Sequence, residues 1–358
     1  MRSESTSRAA GRLGPRPLPL HLAAAALTWS SSQLASSGSN GASTAWRPSL
    51  RQRAAALESE IASRDPEAFA EALGRESLRR GCRLLAAIQA YRRHPYRRDL
   101  PDPPVLWAEG GSRLLDYGAG AAAGGGQPLF IVPSLINRAY ILDLSAGQSF
   151  LRWLAAEGFR PLLLDWGAPG TAERGFTLQD YVAGRLSRAL DAALAETGQA
   201  LPVAGYCMGG TLALALAQLR PKAVRGLAVL AAPWDFHAGQ GEIAKAGPAA
   251  LLPYKPAMQA LGVLPTDALQ ALFAGLDPML VIRKFLKFAE LDPASPQAAS
   301  FVALEDWLND GVPLSAPVAE ETLEGWYGRN DTAAGRWRIA GEPIDPGRVA
   351  QPALAILP

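Results

Sequence analysis

Apolar and polar positions follow two different periods along this 358-residue chain, and the change of period marks its organisation. Between Leu50 and Tyr91, apolar residues recur at helical spacing, which predicts an N-terminal helical region. From Pro128 onward, short apolar runs alternate with longer helical stretches. Because parallel strands are buried on both faces and read as continuous apolar runs, this rhythm predicts a mostly parallel sheet covered by helices.

The second half of the chain carries the elements expected of such a sheet. The predicted strands are residues 129–132, 160–165, 201–206, 226–231 and 353–357. Helices are predicted at residues 148–157 and 178–196, and a third follows directly after residue 210.

Residues 236–345 break the strand–helix rhythm and are mainly helical, with helices predicted at 267–274, 278–290 and 298–310. We interpret this stretch as a cap inserted between two core strands. Residues 95–127, rich in Pro and then in Gly and Ala, are predicted to be a loop and a link. The predicted domains are a poorly ordered segment at 1–45, an N-terminal helical region and linker at 46–127, and a core at 128–358 with its cap.

The composition is that of a globular protein, with 49% apolar and 19% charged residues and a net charge of +2. The basic stretch at 91–98 is short and isolated, so it predicts a solvated helix end and no nucleic-acid surface. An apolar run at 18–29 resembles a secretory signal, but Pro19 and His21 favour a partly helical surface segment. No run of eighteen apolar residues occurs, so no transmembrane helix is expected.

The strongest chemical signal is Gly205-Tyr-Cys-Met-Gly-Gly210, which lies between a predicted strand and a predicted helix. This is the nucleophile-elbow pattern with Cys207 in the place of serine. The helix that Cys207 opens should favour its thiolate, and the Met208 backbone N–H should hold an oxyanion. A second oxyanion donor is expected near Leu135 or Ile136, in the loop after the first core strand. The alternative is a glycine-rich turn with a buried, inert cysteine.

A nucleophile at an elbow needs a histidine base and a carboxylate, in the chain order nucleophile, acid, histidine. The chain has three histidines, His21, His94 and His237, and two of them precede Cys207. His237 lies close to Asp235 at a strand exit, where a hinge role is favoured over a base. His94 is expected at the surface. We therefore predict that the Asp and His of the triad are absent, together with the last strand or strands and the final helix of the fold.

Several stretches resemble the polyhydroxyalkanoate synthase family. They are residues 133–144, Asp165-Trp166 with Pro169, Asp180-Tyr181 and the cysteine box at 205–211, with weaker similarity at 105–117 and 303–327. The resemblance covers roughly residues 50–358. The chain departs from the family at Ser134, where a second Pro is usual.

The resemblance implies an α/β-hydrolase-like fold and an acyltransferase that polymerises (R)-3-hydroxyacyl-CoA to polyester with release of CoA. Cys207 would be the nucleophile and acyl carrier. The implied partners are the acyl-CoA, the growing polyester chain, a polyester granule surface and a second copy of the chain. Acyl-CoA is a substrate, so no cofactor and no metal are expected. Without its acid and base, the chain is predicted to be inactive as written.

Two other functions stay open at this stage. The first alternative is an ester hydrolase or depolymerase of the same fold. The second is a non-catalytic protein, either a fragment or a granule accessory. Two cysteines far apart in sequence fit a reducing, cytoplasmic setting, with Cys82 expected in the helical core. The tryptophans Trp307, Trp326 and Trp337 would line an acyl channel or anchor the cap.

Overall fold

The computed structural model describes residues 11–37, 48–119, 126–239 and 245–357. The chain divides into two units: residues 1–95 with 273–302, and residues 96–272 with 303–358. This division ends the N-terminal region at 95, whereas we predicted its boundary at 127.

Helices occur throughout the described chain. They are α1 (Leu18–Ser37), α2 (Arg51–Ala62), α3 (Pro66–Arg93), α4 (Phe150–Ala156), α5 (Ser187–Thr197), α6 (Met208–Leu219), α7 (Gly247–Leu251), α8 (Lys255–Leu261), α9 (Thr266–Ala274), α10 (Leu280–Phe288), α11 (Pro296–Asn309) and α12 (Ala316–Glu320). Two π-helical segments, Asp180–Leu186 and Glu321–Gly328, adjoin α5 and α12.

The strands are mostly short. They are β1 (Val105–Glu109), β2 (Ser112–Asp116), β3 (Gln127–Val132), β4 (Asp143–Ser145), β5 (Gln148–Ser149), β6 (Phe159–Asp165), β7 (Leu201–Tyr206), β8 (Val224–Leu230), β9 (Val263–Leu264), β10 (Leu314–Ser315), β11 (Arg338–Ile339), β12 (Glu342–Pro343) and β13 (Ala353–Ile356).

In the first unit, the predicted helical pattern forms α2 and α3. Asp65 caps α3 by accepting hydrogen bonds from the backbone N–H groups of Glu67 and Ala68, and Pro66 occupies the first helical position. Leu84, Ile88 and Tyr91 form its buried face. His94 is buried at 7% exposure and its Nε2 lies 2.9 Å from the Pro293 carbonyl oxygen. We predicted that His94 would be exposed at the surface, and this was wrong. The Pro293 carbonyl oxygen gives its ring a hydrogen-bonding partner in the buried position.

The segment 1–45, predicted to be poorly ordered, contains helix α1. Its alanine-rich sequence has high helix propensity, and its side chains at His21 and Ala25 are buried. The Gly81 position on α3 faces the Trp29 ring of α1, so a small residue there allows the two helices to approach closely. The prediction of a partly helical segment at 18–29 agrees with this helix. Residues 1–10 and 38–45 lie outside the described residues.

The main sheet of the second unit has seven strands in the order β1-β2-β6-β3-β7-β8-β13. Strands β6, β3, β7, β8 and β13 run parallel to one another, and β1 and β2 are antiparallel additions at one edge. All five strands predicted from apolar runs are present in this parallel part. The prediction of a mostly parallel, α/β-hydrolase-like sheet is confirmed.

The prediction of a structureless link at 95–127 was wrong for two stretches. β1 and β2 form an antiparallel hairpin closed by Gly110 and Gly111, and Gly110 has a positive φ of 56°. A Gly-Gly pair between two short β-prone runs is a hairpin signal, and the Pro and Gly content around it masked this signal. Residues 120–125 of the predicted link lie outside the described residues.

Helices cover both faces of the sheet, as the continuous apolar strands require. Central strand residues are fully buried and pack against equally buried residues of α5 and α6: Phe130, Leu162, Leu164, Val203, Leu190, Leu212 and Leu216. Burial of one such side chain contributes roughly 1.5–3 kcal/mol, so the sheet is a rigid base for the loops at its carboxyl edge.

One buried carboxylate joins three elements near that base. Asp143 of β4 is fully buried and accepts hydrogen bonds from Arg98, from Arg152 of α4 and from the Tyr117 hydroxyl. Burial alone would raise the pKa of Asp143, but the two guanidinium groups and the hydrogen bonds bring this pKa below its ordinary value.

The predicted cap region contains the expected helices as α9, α10 and α11. Strand β13 lies at the edge of the sheet, next to β8, and Leu354 and Ile356 are 57% and 50% exposed. Within the described residues, every helix is too short or too polar to cross a membrane.

Candidate active site

Cys207 stands on a sharp turn between β7 and α6. Its φ of 55° and ψ of −132° put it in a backbone region that non-glycine residues rarely adopt. The Cys207 N–H donates to the Leu230 carbonyl at 2.8 Å, and the Gly210 N–H donates to the Cys207 carbonyl at 2.8 Å. These bonds hold the strained residue from both sides, and its side chain projects from the carboxyl edge of the sheet.

The glycines around Cys207 are required by close backbone approach. A Cβ on Gly205 would lie closer than 3.0 Å to the backbone of Gly209 and Gly210. A Cβ on Gly209 would lie closer than 3.0 Å to the carbonyl oxygens of Val132 and Pro133. The predicted strand–turn–helix setting of the elbow therefore exists here with the steric demands that the motif implies.

The thiol of Cys207 is half-buried. The backbone N–H of Met208 and the side chain of Ser134 lie close enough to act on its pKa. Met208 is the first residue of α6, so its N–H is one of the unpaired donors at the helix N-terminus. The position of this N–H next to the sulfur is the one expected for an oxyanion donor.

Burial raises the pKa of the Cys207 thiol above its ordinary value, while the Met208 N–H and Ser134 act in the opposite direction. The expected contribution of the helix N-terminus is present, because the Met208 N–H lowers the pKa. The net shift is nevertheless upward, since loss of hydration penalises the charged sulfur more than these two neighbours stabilise it.

The loop after β3 forms the second wall of the site. Trp166 Nε1 donates to the Pro133 carbonyl at 2.9 Å and fixes the start of this loop. The Ile136 N–H, which we predicted as the second oxyanion donor, donates to the Ser134 Oγ at 3.2 Å. The Ile136 N–H is thus directed at a side chain that lies close enough to Cys207 to act on its pKa.

Tyr327, in the second π-helical segment, lies on the cap side of the site. Burial raises its pKa, and the negative charge of a Cys207 thiolate raises it further, which places this phenol within electrostatic range of the sulfur. Burial and the same charge also raise the pKa of Tyr206. π-helical turns are frequent at functional sites because they displace side chains from the regular helical positions.

The loop after β8 is attached to this π-helical segment. His237 Nε2 lies 2.8 Å from the Tyr327 carbonyl oxygen, and Asp235 Oδ1 accepts hydrogen bonds from the His237 N–H and from Asn330 Nδ2. Asp235 thus bonds the backbone of His237 and not its ring. The hinge role of His237 stays a prediction; the structure shows that its ring joins the loop after β8 to the Tyr327 carbonyl.

The three histidines have their ring nitrogens next to backbone oxygens elsewhere. His21 pairs with Arg16, His94 with Pro293 and His237 with Tyr327. Within the described part of the chain, no histidine is a hydrogen-bond partner of Cys207. In the same residues, no three His, Cys, Asp or Glu side chains come together as metal ligands would.

The other predicted residues are placed as follows. Cys82 is exposed on α3, so its predicted core position was wrong, because it lies on the same outward face as Leu78 and Leu85.

Trp307 Nε1 donates to the Arg138 carbonyl at 2.8 Å, which attaches the end of α11 to the loop after β3. Trp326 and Trp337 pack edge to face at 5.1 Å. These contacts agree with the anchoring alternative for the tryptophans.

Sequence reasoning missed two neighbours of the nucleophile. Ser134 was singled out only as a departure from a family pattern, although a polar residue directly after a buried parallel strand is a signal for a site at the carboxyl edge. Tyr327 carries no local signal, because its approach to Cys207 depends on how the cap folds back.

Comparison with known proteins agrees with this geometry. The sequence profile described as the alpha/beta hydrolase fold matches residues 128–312. The chain is similar to the poly(3-hydroxyalkanoate) polymerase subunit PhaC of Haloferax mediterranei, with 32% identity over 71% of this chain and 52% of that protein. It is 30% identical to the subunit of the same name from Haloarcula marismortui, over 71% of this chain and 55% of that protein. The resemblance predicted from the motifs is confirmed.

The chain spans about half the length of these curated relatives. Among solved structures, it is similar to the thioesterase domain from the curacin biosynthetic pathway, with 16% identity over 72% of this chain and 82% of that chain, and a TM-score of 0.41.

Proposed function

Because the chain belongs to the α/β-hydrolase fold family, we propose that it is an acyltransferase of the polyhydroxyalkanoate polymerase type that works through a Cys207 acyl-enzyme. The proposed substrate is an (R)-3-hydroxyacyl-CoA, and the product is a polyester with release of CoA. The similarity to poly(3-hydroxyalkanoate) polymerase subunits supports a polyester as the product. The proposed setting is the cytoplasm, at the surface of the growing polyester.

The observation that carries the proposal is the strained elbow with cysteine at its tip. The positive φ of Cys207 presents the thiol at the carboxyl edge of the sheet, next to the Met208 N–H. A thiol is suited to exchange between thioesters, because the bond that forms and the bond that breaks are of the same kind. A serine at this position would form an oxygen ester and lose that near-balance of free energy.

The proposed transfer has two half-reactions. The Cys207 sulfur, as thiolate, attacks the carbonyl carbon of the acyl-CoA thioester, and the developing oxyanion accepts a hydrogen bond from the Met208 N–H. The new C–S bond forms as the bond to CoA breaks, and CoA leaves as a thiolate that takes up a proton. The hydroxyl of another hydroxyacyl unit then attacks the acyl-enzyme, loses its proton to a base, and forms the ester while the Cys207 thiolate leaves.

The base of the second half-reaction is unassigned among the described residues. The rings of His21, His94 and His237 are next to other groups, and the pKa of Cys207 is raised by burial. We therefore propose that the 358-residue chain forms the acyl-enzyme slowly and turns over poorly.

The direct test is formation of a covalent adduct. The purified chain is incubated with an (R)-3-hydroxyacyl-CoA, released CoA is titrated, and acylated peptides are located by mass spectrometry. We expect one equivalent of acyl group on the peptide that contains Cys207. Cys207→Ala should remove the adduct, and Cys82→Ala should leave it unchanged.

Other results would reject the proposal. An adduct on Cys82 in the unmodified chain would show that the elbow is not the reactive site. Hydrolysis of polyester without any CoA-dependent acylation would instead indicate a hydrolase or depolymerase. A folded protein without any adduct at all would indicate a non-catalytic chain.

A further inference from the structure

The outward side of helix α1 is apolar. This helix contains no Asp, Glu, Lys or Arg. His21 and Ala25 face the interior, whereas Leu20 and Leu27 point outward and are 41% and 69% exposed. The two leucines are about two helical turns apart and therefore share one face, with exposed Ala23 between them. A surface helix normally carries charged or polar residues on its outward face, so this face calls for an explanation.

A second apolar strip adjoins this face in the same unit of the chain. Leu276 and Leu280, before and at the start of α10, are each 50% exposed. Thr28 Oγ1 of α1 lies 3.5 Å from Met279 Sδ, so the turn that leads into α10 lies beside α1. We call the exposed side chains of both strips the apolar face: Leu20, Leu27, Phe273, Leu276 and Leu280.

Basic side chains continue the apolar face along α10. The inward side of this helix is formed by three buried residues: Ile282, Phe285 and Phe288. Arg283 and Lys287 are exposed on the outward side, about one and two turns after Leu280. Asp277, which pairs with Arg283, is the only acidic residue at 273–289. The outward side of α10 is therefore apolar at its start and positively charged beyond it.

We propose that the apolar face is a docking site for an anionic lipid surface, with α1 lying in the plane of the interface. The leucines would enter the boundary between headgroups and acyl chains, and Arg283, Lys284 and Lys287 of α10 would reach the negative headgroups. Such a helix lies on the lipid and does not cross it. Accordingly, every helix among the described residues is too short or too polar to span a membrane.

The charges decide among the possible occupants of this face. A second copy of the chain, docked through a two-fold contact, would bring the basic side chains of both α10 helices toward one another, and like charges oppose such a contact. A bare polyester surface is neutral, so it would accept the leucines but offer no counter-charge to the cations. An anionic lipid surface complements both the apolar and the basic part.

The test is flotation of the full 358-residue chain with lipid vesicles in a density gradient. Vesicles of phosphatidylcholine alone are compared with vesicles of phosphatidylcholine and phosphatidylglycerol, and lipid-free poly(3-hydroxybutyrate) particles are a third surface. Aggregated protein does not float, so the floating fraction reports binding. We expect binding to the anionic vesicles to exceed binding to the neutral ones by about tenfold at low salt, and added salt should weaken it.

The apolar part is tested by the double variant Leu27→Gln/Leu280→Gln. We expect its partition onto anionic vesicles to fall by about tenfold, because the apolar contact of two leucines is lost. Leu252→Gln is the matched control, since Leu252 is 59% exposed in the other unit, and it should bind as the wild type does. Thermal unfolding shows whether each variant is folded. Leu27→Ala adds no polar group, so its smaller loss in the same direction covers the case in which the double variant is poorly folded.

The basic part is tested by the double variant Arg283→Gln/Lys287→Gln. We expect this change to lower binding to anionic vesicles by about tenfold at low salt and to leave binding to neutral vesicles unchanged. Lys222→Gln removes an exposed cation from the other unit and should have no effect.

Equal flotation with neutral and anionic vesicles, or flotation with neither, would overturn the inference. Binding to the polyester particles alone, lost in Leu27→Gln/Leu280→Gln, would assign the face to the polymer instead. A dimer in sedimentation that the same variant dissociates would assign it to a second copy of the chain. Flotation requires no acyl transfer, so its outcome is independent of the proposed function of Cys207.

Discussion

The sharp turn at Cys207 is sterically possible because Gly205 and Gly209, two residues before and after it, have no side chains. A positive φ at a non-glycine residue costs of order 1–3 kcal/mol, which the hydrogen bonds to Leu230 and Gly210 help to offset. The absence of a Cβ at Gly205 and Gly209 lets α6 start directly above β3 and β7. The position of the thiol thus depends on three features: the strained backbone of Cys207, and the absence of a Cβ atom at Gly205 and at Gly209.

Gly209→Ala should destabilise the second unit by about 3 kcal/mol, because the new Cβ would collide with two backbone carbonyl oxygens that cannot rotate away. Urea unfolding followed by tryptophan fluorescence measures this change. Gly175→Ala is the matched control, since a Cβ there meets nothing within 4 Å, and its effect should stay within about 0.5 kcal/mol. A Gly209→Ala protein as stable as the control would show that the elbow is not packed as described.

At the scale of secondary-structure elements, the Asp143 carboxylate shows how one side chain connects several of them. Asp143 connects β4, helix α4 through Arg152, and the extended chain at Arg98. The carboxylate is fully buried while each guanidinium is about one third exposed, so the arginines remain partly hydrated if their partner is lost. Loss of the carboxylate would therefore loosen the join between three elements without emptying a cavity.

Asp143→Asn should lower the free energy of unfolding by about 3 kcal/mol, the usual cost of breaking a buried ion pair. Asp191→Asn, in a surface pair with Arg220, should cost less than about 1 kcal/mol. The pH dependence has a defined sign. The pKa of Asp143 is lowered in the folded chain, so its contribution is present above the ordinary carboxyl pKa of about 3.9 and is lost as the pH falls through the lower folded value.

That dependence is measured by repeating the urea titrations from pH 7 down to about pH 2, below the ordinary carboxyl pKa. Wild type should lose more stability on acidification than Asp143→Asn, and the two curves should converge at the acid end. If the two curves of stability against pH stayed parallel, the pKa of Asp143 would not differ between the folded and unfolded chain.

For the whole molecule, the histidines bear on the proposal that the chain turns over poorly, since none within the described residues is a hydrogen-bond partner of Cys207. Removal of a triad's base typically lowers the rate by about 10³-fold or more, because the nucleophile is not activated and the leaving group is not protonated. On the proposal that Cys207 has no base, we expect the 358-residue chain to release CoA at least that much more slowly than the Haloferax mediterranei relative. The measurement is steady-state CoA release under identical conditions.

His237→Gln is the variant that completes this comparison. If His237 only joins the β8 loop to Tyr327, the slow rate should change little, because glutamine can still donate to the Tyr327 carbonyl. A wild-type rate comparable to that of the relative, abolished in His237→Gln, would show that His237 is the base after all.

The sequence by itself determined the elements whose signal is local. The five parallel strands, the helices α9 to α11 and the elbow at Cys207 could all be predicted, because apolar periodicity and glycine spacing are properties of short stretches. The hairpin of β1 and β2 was missed since Pro and Gly around it conceal a weak strand signal. Helix α1 was missed in part because its stability depends on docking to α3 as much as on its own composition.

Only the tertiary structure decided which side chains meet the nucleophile. Ser134 lies near Cys207 because β3 and β7 are neighbours in the sheet and Gly209 lets the loop after β3 lie against the start of α6. Tyr327 lies more than a hundred residues beyond the elbow in sequence, yet the folded chain brings it within electrostatic range of Cys207. The direction of the Cys207 pKa was also beyond local reasoning, because hydration is set by everything that packs around the sulfur, whereas the helix N-terminus is visible in the sequence.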